Sequence, residues 1–320
     1  MKSMTSRRNF LKTSAATIAA VATSNPLLAE LTKKKKAVGI QLFTIPALVA
    51  NDFKGTLTKL ANIGYKEIEF FGPYEFSAKQ TIEGWNKVAP MLGITKNAFY
   101  GYSPSDVKKI LKDLGLTTPS VHLDLITMRT NMGPAIDGLS ALGTKYVAIP
   151  AIADPNERSD FNKLADEFNG FGEQFAKAGL TFVYHNHGYE HATKEGKTLM
   201  DTLLAQTDAD KVKFELDIFW MTAAGANPVE YLKRYPGRFK LLHLKDASEP
   251  IRFSGDGGSV DQWMPLFGKM SDPGSGIFDI PAIVEAAKKS GADHFYLERD
   301  VTPTPEQTLT NSFSYLRSKI

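Results

Sequence analysis

Short apolar, β-rich runs alternate with longer amphipathic stretches along the chain from Ala37 onwards. The alternation recurs eight times, and the runs are predicted as strands at residues 37–43, 66–71, 120–123, 145–150, 180–184, 213–217, 239–243 and 294–298. Strands separated by helices form parallel sheets, and eight such units in about 285 residues match the usual size of a (β/α)8 barrel. We therefore predict an α/β fold, a (β/α)8 TIM barrel in which residues 37–320 form a single domain.

An open, doubly wound sheet is the alternative arrangement of the same elements. No Gly-x-Gly-x-x-Gly motif follows the first predicted strand, and that motif is typical of dinucleotide-binding members of this class. The connections after the second and seventh strands, residues 72–119 and 248–276, exceed the usual loop lengths. We interpret both as candidate lids over an active site.

The first 29 residues have the pattern of a twin-arginine export signal. Ser6-Arg7-Arg8-Asn9-Phe10-Leu11-Lys12 contains the paired arginines followed by Phe-Leu-Lys, and a weakly apolar stretch follows at residues 13–22. Cleavage is expected after Ala22 or after Ala29. An ordinary secretory signal or a basic arm is the other interpretation. We predict an exported, periplasmic protein with a signal peptide at residues 1–29.

Removal of the signal peptide changes the net charge of the chain. The whole sequence has 38 basic and 35 acidic residues, but residues 1–29 contain four basic residues and no acidic one. The remaining net charge of −1 argues against a nucleic-acid-binding surface. No internal apolar run approaches the ~18 residues that span a bilayer, so we expect no stable membrane insertion. The sequence has no cysteine, which excludes disulfides and thiol nucleophiles.

Residue types that bind metals occur at the ends of the last four predicted strands: His185, Asp217, His243 and Glu298. The active site of a (β/α)8 barrel is built at the carboxyl ends of its strands, so these four side chains are expected to converge. Two imidazoles and two carboxylates suit one divalent ion of intermediate hardness, Mn, Zn, Co or Fe. Taken singly, each residue also has an ordinary explanation as a structural histidine or a helix cap.

Four segments resemble the xylose isomerase-like TIM-barrel superfamily. They are Val38-Gly39-Ile40-Gln41-Leu42-Phe43-Thr44, Tyr184-His185-Asn186-His187, Leu242-His243-Leu244-Lys245-Asp246 and Gly274-Ser275-Gly276-Ile277-Phe278-Asp279. This group contains sugar (phosphate) isomerases and epimerases and inosose dehydratase-type lyases, and the resemblance covers residues 37–318. It implies a metal held from the last four strands in the order Glu, Asp, His, Glu. Asp217, His243 and Glu298 match that order, whereas His185 stands where ketose 3-epimerases have Glu.

The residue at position 185 affects the expected mechanism. In the epimerases that the chain resembles, two glutamates on opposite sides of the metal exchange protons with the two faces of one carbon. His185 replaces one of these glutamates. A metal-polarised carbonyl still acidifies the adjacent C–H, and a single base removes the proton. The base candidates are Glu298, His122 and Lys245. If a leaving group lies β to the carbonyl, the same enolate eliminates it.

Other side chains are predicted to bind the substrate. Gln41 and Glu69 end the first two strands and are expected to hydrogen-bond sugar hydroxyls. His187 shares a strand face with His185, because side chains alternate along a strand. Trp220 is expected either to stack on a sugar ring or to be buried under a helix.

These features lead to one preferred function and three alternatives. We predict a divalent-metal-dependent isomerase or epimerase of an unphosphorylated sugar, since sugar phosphates are largely cytoplasmic and this chain has an export signal. The first alternative is a lyase or dehydratase that eliminates from a 3-keto-glycoside or an inosose-type substrate. A non-catalytic sugar-binding barrel and an apurinic-endonuclease-like hydrolase are less favoured. The expected partner is a small-molecule carbohydrate, no nucleic acid is expected, and the sequence is compatible with an oligomer.

Overall fold

Eight parallel strands form the centre of the fold. They are β1 (Val38–Gln41), β2 (Glu67–Glu69), β3 (Ser120–His122), β4 (Tyr146–Ile149), β5 (Thr181–His185), β6 (Val212–Asp217), β7 (Phe239–Leu244) and β8 (His294–Leu297). Their order in the sheet is β2-β1-β8-β7-β6-β5-β4-β3. Isolated parallel bridges, Glu67 with Thr117 and Phe70 with Val121, join the β2 and β3 edges into a nearly closed barrel. The predicted (β/α)8 TIM barrel is confirmed.

The computed structural model describes residues 36–94, 99–152, 154–194 and 196–320. Within them, Ala37–Ile320 form one compact unit. The predicted signal peptide, residues 1–29, lies outside the described residues. Among the described residues, no helix has both the length and the apolar character needed to cross a membrane.

Helices connect the strands around the barrel. They are Pro46–Asn51, Phe53–Ile63, Lys79–Val88, Pro104–Asp113, Leu125–Thr130, Met132–Leu142, Phe161–Lys177, Leu199–Gln206, Ile218–Ala223, Pro228–Arg234, Val260–Phe267, Ile280–Ser290 and Pro305–Leu316. Short 3-10 turns lie at Leu42–Thr44, Ala89–Leu92, Pro155–Arg158 and Tyr189–His191. Apolar faces of these helices pack on the outer strand residues, as where Phe168 and Phe175 contact Phe182 of β5.

An apolar layer fills the barrel beneath the carboxyl ends of the strands. It consists of Tyr146, Ala148, Val183, Leu241 and Tyr296, all buried. A Cβ atom at position 39 would lie 2.4 Å from the Tyr296 ring, so β1 requires glycine where this ring crosses the interior. The inward-facing positions two residues further along the strands, such as 185 and 243, therefore lie directly above this apolar layer.

Two connections contain helices that the sequence patterns did not predict. The β3–β4 connection forms Leu125–Thr130 and Met132–Leu142, although Gly133 and Gly138 lower the helix propensity of the second. The connection at residues 248–276, predicted as a long candidate lid, contains the helix Val260–Phe267. Tertiary packing explains both, because the helices bury Leu139 and Leu266 against the rest of the fold.

Asp246 fastens the two ends of the 248–276 connection. Its buried carboxylate accepts hydrogen bonds of 2.8–3.1 Å from the backbone N–H groups of Ala247, Gly274, Gly276 and Phe278. Because hydrogen bonds to a charged group are strong, Asp246→Ala is expected to destabilise the protein by about 3 kcal/mol. Proteolysis within residues 248–276 should accelerate in this variant.

Asp256 provides the control for that prediction. It lies in the same connection, but it is exposed and accepts from Gly258 N at 2.9 Å. Asp256→Ala is expected to change the unfolding free energy by less than about 1 kcal/mol. Urea unfolding and limited proteolysis measure both variants, and equal behaviour of the two would contradict the role of Asp246.

Candidate metal centre

Two groups of polar side chains lie above the apolar floor of the barrel. The inner cluster is formed by Gln41, Glu69, His122, His185, Glu215 and His243. The outer cluster is formed by Asp217, Lys245, Glu298 and Asp300, together with the outward-facing ring atoms of His185 and His243. Such a concentration of buried titratable groups is typical of a functional site.

Glu215 organises the inner cluster. Its Oε2 lies 2.8 Å from His122 Nε2 and 3.1 Å from His185 Nδ1, and its Oε1 lies 3.2 Å from His243 Nε2. Glu69 Oε2 adds a contact of 2.6 Å to the same His243 Nε2. The carboxylates therefore engage one nitrogen of His185 and one of His243. The other nitrogen of each ring, Nε2 of His185 and Nδ1 of His243, is directed to the outer cluster.

Protonation follows from burial and from these contacts. Burial alone would raise the pKa of Glu215, but the His243 charge and hydrogen bonds from the three imidazoles hold it well below its ordinary value. Burial lowers the pKa of His185 to about 4 despite its hydrogen bond to Glu215. Neutral His185 then carries its proton on Nδ1, toward Glu215, and has a lone pair on Nε2. That tautomer is the one a metal ligand needs.

The four predicted metal ligands converge. His243 Nδ1 lies 2.6 Å from Glu298 Oε2, and Asp217 Oδ2 lies 4.0 Å from His243 Nδ1 and 3.9 Å from His185 Nε2. One donor atom from each of Asp217, His243 and Glu298 lies within 4.8 Å of the others. Asp217 Oδ2 and His243 Nδ1 are buried and lie in close charged contacts, 2.9 Å from Lys245 Nζ and 2.6 Å from Glu298 Oε2. This buried group of one histidine and two carboxylates has the composition of a divalent-ion site, so the cluster can hold a metal.

The inner cluster also brings metal-binding atoms together. One atom from each of His122, His185, Glu215 and His243 lies within 4.8 Å of the others. In this inner group His122 and His185 each contact Glu215 Oε2, at 2.8 and 3.1 Å. The outer group contains three of the four ligands that the sequence predicted, and the inner group holds the imidazoles of His185 and His243 in place.

Asp217 serves both the fold and the site. It ends β6 and caps the helix Ile218–Ala223, because its Oδ1 accepts from Phe219 N at 2.9 Å and from Trp220 N at 3.1 Å. Asn186 fixes its backbone through a pair of hydrogen bonds, of 2.9 Å to Asp217 N and 3.2 Å to Asp217 O. The capping explanation and the metal-ligand explanation of this residue are thus compatible, since each uses a different carboxylate oxygen.

Lys245 lies among three carboxylates. Its Nζ is 2.9 Å from Asp217 Oδ2, 2.9 Å from Glu298 Oε2 and 2.8 Å from Asp300 Oδ2. Burial would lower the pKa of Lys245, but these carboxylates raise it well above its ordinary value. Its amine is therefore protonated, which disfavours the predicted role as a base. The pKa of Glu298 lies well below its ordinary value, because the Lys245 and His243 charges outweigh burial, and this makes Glu298 a weak base.

The predicted substrate residues lie at two depths. Gln41 donates to Glu69 Oε2 at 2.9 Å, and both are fully buried in the inner cluster with His122. His187 lies higher, with its ring 5.9 Å from that of Trp220 and 5.3 Å from that of Trp263. Its buried Nδ1 makes no hydrogen bond within the described part of the chain. Burial, then His185 and Lys245, lowers its pKa well below the ordinary value.

The 248–276 connection covers the site. Phe253 stacks on the Trp220 ring at 5.9 Å with an interplanar angle of 6°. Trp220 is 1% exposed, so its ring is closed to solvent with this connection in place. Of the two predicted lids, this one contacts the site residues, through Phe253 and through the Trp263–His187 contact. The stacking role of Trp220 stays a prediction.

Sequence reasoning did not assign Glu215, Asn186 or Asp300 to the site. Glu215 and Asp300 lie two residues from Asp217 and Glu298, so strand alternation was the signal that could have found them. Asn186 had no such signal, since its role is a hydrogen-bonded pair with the backbone of a neighbouring strand.

Replacing Glu215 tests whether it orients the imidazoles. Glu215→Gln preserves volume but removes the charge that fixes both rings, so divalent affinity is expected to fall about 10–100-fold. Titration of the metal-free protein with Mn²⁺ measures the change. Glu67→Gln is the matched control, because Glu67 pairs with His294 Nδ1 at 2.8 Å away from both clusters. Equal affinities of both variants would contradict the role of Glu215.

Comparison with protein families supports this description. A family model described as "Xylose isomerase-like TIM barrel" matches residues 57–319. A model of the TAT (twin-arginine translocation) pathway signal sequence matches residues 4–24, which indicates export by that pathway.

Individual curated relatives match part of this chain, and solved structures match most of it. Inosose dehydratase of Lacticaseibacillus casei is 27% identical over 160 residues, 49% of this chain and 51% of the relative. The chain therefore spans about half the length of the curated relatives it matches. A sugar phosphate isomerase/epimerase structure from Parabacteroides distasonis is 26% identical, with a TM-score of 0.68, over 90% of this chain and 95% of that one. The IolI protein with a bound zinc atom shares the fold at 16% identity and a TM-score of 0.61, over 88% and 96% of the chains.

Proposed function

Because the chain belongs to the xylose isomerase-like TIM barrel family, we propose that it is a divalent-metal-dependent lyase acting on an unphosphorylated carbohydrate. It removes a proton next to a carbonyl and eliminates a β-substituent. The observation that carries the proposal is a difference between the side chains at the first and last of the four predicted ligand positions, His185 and Glu298. His185 ends β5 and His187 follows it, whereas Glu298 follows β8 and lies 2.9 Å from Lys245 Nζ.

The residues that would hold the ion are His185, Asp217, His243 and Glu298. When bound, a divalent ion supplies a Lewis acid that polarises a carbonyl and makes the adjacent C–H more acidic. The grouping of one donor atom each from Asp217, His243 and Glu298 within 4.8 Å supports this assignment. The zinc atom of the structurally similar IolI protein is in keeping with it. The chain's own contribution is to place an acid–base group beside the substrate carbon.

We assign the base to His187. Its lowered pKa keeps the imidazole neutral, and its Nδ1 has no hydrogen-bond partner among the described residues. Glu298 is a weaker candidate, because His243 and Lys245 already share its Oε2. His122 is engaged below the site by Glu215 at 2.8 Å. A positioned imidazole is the commonest general base in proteins.

The elimination balances with one imidazole. His187 takes the proton from the carbon next to the carbonyl, and the C–H electron pair enters the enolate. The enolate then forms a C=C bond and breaks the C–O bond at the β carbon, whose oxygen leaves with the bonding pair. The imidazolium returns the proton to that oxygen, while the Lys245 ammonium stabilises the developing negative charge.

Isomerisation or epimerisation is the second candidate. The similarity to a structure described as a sugar phosphate isomerase/epimerase favours it. It begins with the same proton abstraction but needs a second group to return the proton to the other face or to a neighbouring carbon. The β5 position holds His185, which Glu215 engages through Nδ1, in place of a second glutamate. Elimination needs one acid–base group and therefore fits the observed residues better.

The substrate class follows from export and from the reaction. Export by the twin-arginine pathway supports a periplasmic location and an unphosphorylated substrate. Elimination requires a ketone with a leaving group at the β carbon, as in a 3-keto-glycoside or an inosose. The partial similarity to inosose dehydratase supports this class.

Product analysis tests the proposal. The chain without residues 1–29 is incubated with Mn²⁺ and with 3-keto-glycosides, inososes and simple ketoses in D₂O, and products are followed by ¹H NMR. Elimination predicts an unsaturated ketone and the released substituent, both dependent on the metal. Deuterium incorporation with every substituent retained would establish isomerisation or epimerisation instead. Absence of both exchange and product across the panel would refute the proposed function.

A further inference from the structure

We propose that Lys245 is an internal cation that occupies the metal ligands in the metal-free protein and thereby sets the affinity for the divalent ion. The inference rests on the proposed metal site and adds to it a competitor supplied by the chain itself. It concerns binding, not the chemical step.

The positions of the three carboxylates around Lys245 carry the inference. Nζ lies 2.9 Å from Asp217 Oδ2 and 2.9 Å from Glu298 Oε2, the same two oxygens that face His243 Nδ1. It donates a hydrogen bond of 2.8 Å to Asp300 Oδ2. Two of its three partners are thus proposed ligands of the ion, and the third is not. An ion and the ammonium group compete for the two shared oxygens.

Burial makes this competition strong. The side chains of Asp217, Glu298 and Lys245 are at most 6% exposed. Buried carboxylates without a counter-charge are costly, so a metal-free site needs a cation of its own. The Lys245 ammonium group neutralises these carboxylates and, by competing for the same oxygens, lowers the affinity for the divalent ion. When the ion binds, Asp300 is the partner that Lys245 retains.

Two nearby positive side chains, Arg299 and Lys240, do not share this arrangement. Arg299 follows Glu298 in sequence, but its Nη1 pairs with Asp272 Oδ1 at 2.8 Å. Lys240, on the same strand as His243, donates to Gly291 O at 2.9 Å and lies 3.5 Å from Asp293. Variants of these two residues therefore serve as controls, because they remove a positive charge that does not contact the proposed ligand oxygens.

Metal titration and thermal unfolding test the inference. Lys245→Met and Lys245→Gln remove the charge, and the second retains N–H donors so that the site keeps a polar partner if the first does not fold. Both are expected to bind Mn²⁺ about tenfold more tightly than the wild type in calorimetric titration of the metal-free proteins. The melting temperature of the metal-free variants should fall by about 5 °C, and saturating Mn²⁺ should remove most of that difference.

Two controls and two negative results complete the test. Lys240→Met and Arg299→Met are expected to change Mn²⁺ affinity less than about twofold. Unchanged or weaker binding by the Lys245 variants, or an equal gain in Arg299→Met, overturns the inference while leaving the metal site in place. If the wild type binds no divalent ion, the proposed metal site itself fails, and the inference fails with it.

Discussion

Replacing Asp217 with Asn is expected to lower divalent affinity about 10³-fold, because one charged ligand atom is lost. Activity is expected to fall by a similar factor, because the ion's Lewis-acid stabilisation of the transition state is worth several kcal/mol. Asn retains Oδ1, which accepts from Phe219 N and Trp220 N and caps the helix Ile218–Ala223. The substitution replaces Oδ2, which is the proposed ligand atom and lies 2.9 Å from Lys245 Nζ. The change therefore removes the ligand atom and preserves the cap.

Stability measurements separate these two roles. The metal-free Asp217→Asn protein retains the cap and is expected to lose only about 2 kcal/mol of unfolding free energy, from the buried contact of Oδ2 with Lys245 Nζ. Asp160→Asn is the matched control, because Asp160 caps the helix Phe161–Lys177 through Lys163 N at 3.0 Å. That variant should retain metal affinity and activity. A metal affinity of Asp217→Asn equal to that of the wild type would show that Asp217 is only a cap.

Replacing His187 with Gln is expected to lower kcat about 10²–10⁴-fold, the usual contribution of a positioned general base. Mn²⁺ affinity should change little, because His187 is not among the four proposed ligands. His191→Gln is the control, since His191 is another neutral imidazole, with a pKa lowered to about 4 by burial, that packs on Tyr231 at 5.0 Å. A loss of metal affinity in His187→Gln would contradict its assignment as the base.

The pH profile gives a second readout for His187. A base acts in its deprotonated form, and the pKa of His187 is lowered, so the active form persists below the ordinary imidazole value of 6.5. The kcat of the wild type is therefore expected to stay level as the pH falls through about 6.5 and to decline only at lower pH. The residual activity of His187→Gln should lack that acid limb. A limb centred at or above pH 6.5 would be inconsistent with a buried neutral imidazole.

The barrel and the convergence of its ligands were predictable because they depend on local patterns. Strands such as β4, with every residue buried, read as continuous apolar runs, and parallel strands place their carboxyl ends together. Asp217, His243 and Glu298 therefore lie together, with His185 Nε2 3.9 Å from Asp217 Oδ2, and their role as metal ligands stays a prediction. The helix Met132–Leu142 was missed, since Gly133 and Gly138 weaken its local signal and packing stabilises it.

The assignment of roles within the site depends on contacts that local patterns do not contain. Glu69 of β2 reaches His243 of β7 across the barrel at 2.6 Å, and that contact follows from closure and register. Lys245 was a base candidate from its residue type, but three carboxylates keep it protonated. Elimination fits the site better than isomerisation for the same reason, because the choice depends on which side-chain atoms are already engaged by other residues.

Locating the ion is the most direct test of the metal centre that underlies these proposals. Crystals of the protein loaded with Mn²⁺ or Zn²⁺ are measured at the absorption edge of the metal, and the anomalous difference map gives its position. We expect one ion coordinated by His185, Asp217, His243 and Glu298, with Glu215 outside the coordination sphere. Loaded crystals without an anomalous peak in the barrel, or with a peak among His122, Glu215 and Glu69, would contradict this centre.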